Sequence, residues 1–417
     1  MRAFAIRLAG TAAVLATLTT AAFGQTFFRH NREFSVGPNP CAIAARDLND
    51  DGLPEIITAD RGELTDPAEE RPANRELSLL VAQGDLGYAP QPALLADFAP
   101  WCIVVANMDA LKAPDLVVGS FHATSGQQLK LFLNLTDETH FRFKEAAFSV
   151  PTQRLTYVRQ RDLDGRPVFT TPGITSVAVR DFDADGYRDV VATGWSSDVL
   201  ILFPGVPDRY LGDPILFHAP GGPRDVQIAD FDGDGQADLA VAMYSSSEIT
   251  LWRGDGQRGF TEADRFRSRG ALPHQLRVAD MNGDGHLDLV VSHCYSDDSI
   301  VIYYGDGAMG FPVSQEIALG TDRSAKEHEI RDIVVEDFTG DGRPDIAAAC
   351  YESSQVVVLL NAPGDLQPIT FVRETYGFPA DRARPRALCT ADFDANGRAD
   401  LAVACWKSNT VRLLLNR

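Results

Sequence analysis

From residue 40 onward, short runs of apolar residues alternate with polar ones at a period of two, and turn-forming clusters separate the runs. Residues 225–260 show the unit best. Asp225-Val-Gln-Ile-Ala229 alternates, an acidic glycine loop turns the chain, and Leu239-Ala-Val-Ala-Met243 runs back. After a serine turn comes Glu248-Ile-Thr-Leu-Trp252, and Gly254-Asp-Gly256 leads to Phe260, where a fourth strand begins. Helical periodicity is nearly absent beyond the N-terminal leader. The pattern predicts an all-β fold built from units of four strands.

The unit recurs. Its marker is a nine-residue acidic loop starting at Asp47, Asn107, Asp181, Asp230, Asp280, Asp337 and Asp392, with successive starts 60, 74, 49, 50, 57 and 55 residues apart. A period near 50 that carries four short strands is the period of a propeller blade, one sheet stacked with its copies around an axis. We expect a single seven-bladed β-propeller over residues 25–417. Tyr88, Phe141, Tyr210, Phe260, Phe311 and Phe371 mark the expected fourth strands of the first six repeats, but the chain ends before the seventh can supply its own. Residues 26–36 precede any complete repeat, and they are expected to pair with Val411–Leu415 and complete the last blade. Such closure removes exposed strand edges.

Residues 1–24 have a different character. Arg2 and Arg7 flank a positive start, an apolar run follows, and Ala22-Phe23-Gly24 presents small residues where a signal peptidase cuts. The apolar run is short of the roughly 20 residues that a membrane helix needs. We read a signal peptide, with an N-terminal membrane anchor as the alternative. No later segment is apolar enough to span a bilayer as a helix. The expectation is an exported protein, extracellular or periplasmic, and a monomeric propeller.

Charge sharpens the picture. The chain carries 58 acidic against 38 basic residues, a formal charge of −20, which argues against a nucleic-acid partner. Much of the excess lies in the loops, where positions one, three, five and nine offer oxygen, position seven offers a carbonyl and position six is glycine. The sets are Asp47, Asn49, Asp51 and Glu55; Asp181, Asp183, Asp185 and Asp189; and Asp230, Asp232, Asp234 and Asp238. They continue with Asp280, Asn282, Asp284 and Asp288; Asp337, Thr339, Asp341 and Asp345; and Asp392, Asp394, Asn396 and Asp400. Many oxygens on a short loop form a cage for a hard cation, and crowded carboxylates without a counter-ion destabilise the fold. We expect about six structural calcium sites, with solvated ion-free turns as the alternative. The second repeat is the defective one, because Leu111 and Lys112 replace the position-five carboxylate and the glycine.

Asp230-Phe-Asp-Gly-Asp-Gly before Ala237-Asp-Leu-Ala-Val-Ala242, with Gly254-Asp-Gly-Gln-Arg-Gly-Phe260 later, resembles the FG-GAP/VCBS repeat family. That family includes the integrin α-chain headpiece, a fungal lectin and many secreted bacterial proteins. The resemblance implies a seven-bladed propeller with calcium in the loops joining first and second strands. It says little about the ligand.

If each loop joins a first strand to a second, the start of one and the end of the other share the opposite face. Six residues before each loop stand Cys41, Trp101, Thr175, Arg224, His274, Arg331 and Arg386. At the ends of the second strands stand Arg61, Phe121, Trp195, Tyr244, Tyr295, Tyr351 and Trp406. Aromatics beside arginines suit stacking on sugar rings and pairing with carboxylates. The candidate ligand-binding residues are Phe121, Trp195, Tyr244, Tyr295, Tyr351 and Trp406 with Arg224, His274, Arg331 and Arg386; alternatively, the aromatics wedge between blades and the arginines pair with nearby acids. Segments 60–76 and 151–172 lengthen loops on this face.

Six cysteines in an exported chain permit disulfides, and Cys389 with Cys405, on adjacent strands, is the best pair. The leading functional expectation is a non-enzymatic scaffold that binds a glycan or an extracellular protein. The runner-up is a lyase or hydrolase on acidic polysaccharide, with arginines clamping carboxylates and His274 or Tyr244 as base. A third is a spacer without a ligand. No Ser-His-Asp arrangement, zinc spacing or nucleotide loop raises the enzyme case.

Overall fold

The computed structural model describes residues 27–62, 75–96, 98–109, 111, 113–122, 127–136, 141–150, 172–294, 298–320, 328–364, 367–378 and 383–416. Among them there is no α-helix, and none long and apolar enough to cross a membrane. The leader, Lys112, Tyr295 and most of the two long insertions lie outside these residues.

Seven antiparallel sheets follow one another along the chain. The fourth blade is typical, with Pro223–Ala229, Asp238–Met243, Glu248–Gly254 and Phe260–Arg267 paired in that order. First strands contact first strands from each blade to the next, and Pro40–Arg46 of the first blade packs on Pro385–Ala391 of the last, so the ring closes. Seven apolar clusters lie one at each junction between neighbouring blades, and they form the core. Second strands are packed on both faces. Asp238–Met243, Asp288–His293, Asp345–Cys350 and Asp400–Cys405 are buried at every position, which is why apolar residues follow one another after the leading aspartate instead of alternating with polar ones.

The expected closure is present. Phe28–Ser35 pairs antiparallel with Thr410–Asn416, with Phe28 opposite Asn416 and Phe34 opposite Val411. Phe28 is buried edge-on against Phe338 at 5.3 Å and Tyr376 at 5.7 Å, so the first described strand is anchored to the sixth blade as well.

Three expectations need correction. The fourth strand of the first blade is split into Tyr88–Pro90 and Leu94–Leu95, which makes that sheet five-stranded. Tyr210 belongs to a small extra hairpin, Gly205–Val206 with Tyr210–Leu211, and the fourth strand of its blade is Ile215–His218. Cys389 and Cys405 form no disulfide. Cys389 lies opposite Ala402 while Cys405 lies opposite Pro385, so the two thiols are at different levels of the sheet, and all six cysteines are free.

Candidate functional site

Each acidic loop folds on its own carboxylates. At position one, Asp230 accepts from the amides of Gly233 at 2.7 Å and Gly235 at 2.9 Å, and at position five Asp234 accepts from Gln236 at 2.7 Å. The bond from the position-six amide recurs at Asp47, Asp181, Asp280, Asp337 and Asp392. Position six must be glycine, because Gly235 has φ of +84° and Gly285 of +86°. Although partial burial opposes it, the amides of Gly342, Asp341 and Gly340 hold the Asp337 carboxyl below the usual carboxylate range.

Position nine is different. Glu55, Asp115, Asp189, Asp238, Asp288, Asp345 and Asp400 are fully buried. In each of the seven, one oxygen accepts from the position-two amide at 2.7–3.0 Å. In six, the other accepts from an amide at the end of the third strand or just past it, as from Gly254 to Asp238 at 3.0 Å. Burial pushes Glu55 up to about 7 and Asp115, Asp288, Asp345 and Asp400 to about 6. This carboxylate is a clamp between loop and sheet, and the second repeat keeps it even though Asn107 and Leu111 replace the acids at positions one and five of its loop.

The donor chemistry fits a hard cation. Asp181, Asp183 and Asp189, then Asp230, Asp232 and Asp234, then Asp392, Asp394 and Asp400 each bring carboxylate oxygens within 4.8 Å of one another. In the third loop a protein cation is already there. Arg258, from the outer hairpin of the next blade, reaches Asp183 at 2.8 Å, Asp185 at 2.8 Å and Asp189 at 2.9 Å. Nothing in the local sequence of either segment announces that contact.

The opposite face is built by bulges. In six blades a single residue near the start of the first strand drops out of register with the second: Cys41, Trp101, Arg224, His274, Arg331 and Arg386. In the third blade the break spans Thr175 and Ser176. A bulge re-aims its side chain out of the pleat, and here the ring of bulges aims toward the axis. All seven positions line one axial cavity of about 270 Å³. A second hollow of about 160 Å³ adjoins it, lined by Trp101, Phe121, Trp195, Tyr244, Arg224, His274, Arg331 and Arg386.

Seven of the ten expected ligand residues therefore share one hollow. Tyr351 and Trp406 stand behind it, Tyr351 carrying Arg331 at 5.3 Å and Trp406 carrying Arg386 at 5.4 Å. Tyr295 lies outside the described residues. Trp101 is the residue that the ligand set omits. Its indole lies under three guanidinium groups, Arg61 at 5.2 Å, Arg224 at 5.4 Å and Arg386 at 5.4 Å. Arg331 pairs with Glu329, whereas Arg224 and Arg386 have no carboxylate partner among the described residues. Arg224 donates to His274 Nε2 at 2.9 Å instead. Burial and then the neighbouring Arg331 push Arg386 down to about 10, and burial with the same arginines holds His274 well below its usual value.

The FG-GAP-like repeat model matches residues 181–241, 230–291, 280–348 and 337–403, each span running from one acidic loop to just past the next. The chain belongs to the FG-GAP-like repeat family. The matches begin at the third repeat and together cover just over half of the chain, while the fold repeats the blade in all seven repeats. No curated protein sequence matches the chain. Among solved structures, this FG-GAP repeat propeller is similar to BBS1N, solved in complex with ARL6DN, at 15% identity and a TM-score of 0.62, over 94% of this chain and 98% of that one. It is also similar to virginiamycin B lyase from Staphylococcus aureus, at 12% identity and a TM-score of 0.57, over 94% of this chain and 100% of the other. At these identities the likeness is one of fold.

Proposed function

We propose that this propeller is a secreted, non-enzymatic binding scaffold that holds a glycan or an extracellular protein on the face opposite its acidic loops. The observation that carries the reading is the ring of bulges, since seven separate repeats spend their register breaks on aiming side chains into one axial hollow. Calcium is the cation the loops suit. Asp47, Asn49 and Asp51 with Glu55 would hold it in the first repeat, as would the matching sets from Asp230, Asp280, Asp337 and Asp392. Bound there, it would neutralise the loops and stiffen the ring. BBS1N shows that a chain of this fold carries a protein partner.

The lyase reading has less support. A general base must offer a free lone pair to the substrate proton. His274 Nε2 already faces an Arg224 N–H at 2.9 Å, and its depressed pKa makes it a weak base. Ser268 Oγ lies 2.5 Å from His293 Nε2, but both side chains are buried between blades, away from the hollow. Virginiamycin B lyase is similar in fold only.

The test is capture on a glycan array and from an extracellular protein mixture, each with calcium and with chelator, beside turnover assays on uronic-acid polymers. Capture without turnover, lost when Trp195, Tyr244 and Trp406 are all replaced by alanine, is the expected result. Unsaturated product, or capture unaffected by the triple change, would overturn it.

A further inference from the structure

Within that binding reading, two guanidiniums at the mouth of the axis, Arg386 buried and Arg224 half-buried, have no carboxylate partner among the described residues. Arg386 is 9% exposed, and its Nε has no hydrogen-bond partner. Arg224 donates to His274 and lies over the Trp101 face. Burying charge without a partner is costly unless something supplies the opposite sign. The acids nearest along the channel are already committed. Asp225 and Asp332 share Arg277, at 3.2 and 2.8 Å, and also accept from the amides of Leu276 at 2.8 Å and Leu388 at 2.9 Å.

The space beside these arginines is small and walled by aromatic rings. Trp101 and Phe121 lie 5.0 Å apart, Phe121 and Trp195 5.6 Å apart, so three rings run outward from the guanidiniums as one strip. A hollow of about 160 Å³ is well below the roughly 300–1,000 Å³ of sites that enclose drug-sized ligands. It suits one sugar ring with a carboxylate rather than a folded protein epitope.

We propose that the axial mouth is a uronate site: the carboxylate of a single hexuronic acid unit in a glycan pairs with Arg224 and Arg386, while its ring lies along the Trp101–Phe121–Trp195 strip. Planar guanidiniums match a carboxylate through paired N–H donors, and the strip excludes water around that contact.

Calorimetric titration of the full chain in calcium with trigalacturonate and triglucuronate, against the neutral galactose and glucose trimers, tests it. At least one uronate trimer should bind at least tenfold tighter than its neutral counterpart, and the gap should narrow as salt rises. Arg224→Gln and Arg386→Gln should each close it, and Arg386→Lys should restore part of it. Neutral trimers binding as tightly as uronates would overturn the uronate assignment and leave the scaffold reading standing. The assignment also falls if no uronate binds while array or protein capture still depends on Trp195, Tyr244 and Trp406. The wild-type comparison needs no variant to fold.

A different observation carries a second proposal. The outer-hairpin residue at the Arg258 position has positive φ in three blades, Leu86 at 58°, Arg258 at 67° and Met309 at 63°, and each tip meets the loop of the preceding blade. Leu86 lines a hollow with Phe393 and Asp394, and the Met309 amide donates to Phe231 O at 3.2 Å. Only Arg258 brings a charge, and it also donates to Gly205 O at 3.1 Å. The geometry assigns Arg258 as the built-in counter-ion of the third loop, so that this loop takes no divalent cation.

Equilibrium dialysis against calcium should then count one more ion in Arg258→Ala than in the wild type. In chelator, that variant should melt lower than the wild type, and calcium should restore it. Equal counts, or a loss that calcium does not restore, would overturn the assignment.

Discussion

Asp115 Oδ1 accepts a hydrogen bond from the amide of Asn134 at 2.7 Å, in the one loop that has lost its position-five acid and its glycine. Its other oxygen accepts from Met108 N at 2.7 Å. The ninth position is therefore kept for the sheet, whatever else it does toward an ion. Asp115→Ala should cost about 3 kcal/mol in urea denaturation, since two charge-assisted bonds to buried amides go unmade. The loss should be the same with and without calcium.

The other acids should behave in the opposite way. Asp232 lies in the fourth loop and is not a clamp, so Asp232→Ala should change the melting temperature little in chelator and lower it in calcium. At millimolar calcium and a dissociation constant of about 0.1 mM, each filled loop contributes roughly 1.4 kcal/mol. Five such loops would raise the melting temperature of the whole chain markedly over the chelated protein. Scanning calorimetry in both buffers checks this, and identical traces would remove calcium from the account.

Closure of the ring predicts a large effect at the far end of the sequence. Phe28 is buried beside Phe338 and Tyr376, and its amide donates to the Tyr376 hydroxyl at 2.9 Å. Phe28→Ala should cost about 3–5 kcal/mol, the range for an aromatic deleted from a core. Hydrogen exchange should then quicken in Thr410–Asn416, the partner strand, rather than in the first blade.

Asp60 gives a pH test away from the loops. Burial pushes its carboxyl up to about 7, against the hydroxyls of Ser78 at 2.6 Å and Thr58 at 2.8 Å, which favour the charged form. The folded state thus keeps a proton that the unfolded chain releases near pH 4, so this residue's contribution to stability falls as pH rises from about 4 to about 7. Asp60→Asn should match the wild type near pH 4 and exceed it by on the order of 3 kcal/mol at pH 8. Urea midpoints at the two pH values decide it.

Repetition made much of this legible in the sequence. One loop of the type Asp230–Asp238 is a weak signal, but seven at blade spacing fix both the fold and the missing strand, and Phe28–Ser35 lies where the arithmetic required it. The rim positions followed from the same spacing. The rest depends on where side chains point. A carboxylate that clamps two amides of the sheet and one that stays within its own loop have the same letter, so the clamp role of Asp238 could not be told from the place of Asp232. Bulges leave no mark in composition, so nothing ranked Trp101 above Tyr351 until the register shift at Pro100–Cys102 was on view. The Arg258 contact joins residues 69 to 75 positions apart across a blade junction, beyond any local pattern. Cys389 and Cys405 failed as a pair because adjacency of strands says nothing about level along them.

Amide hydrogen exchange in calcium, with and without saturating trigalacturonate and in parallel triglucuronate, whichever binds tighter deciding, tests most directly where this molecule meets its ligand. The account predicts slowed exchange around the bulges at Trp101, Arg224, His274, Arg331 and Arg386, with the acidic loops unchanged. Protection confined to the acidic loops, or no protection at the bulges, would contradict it.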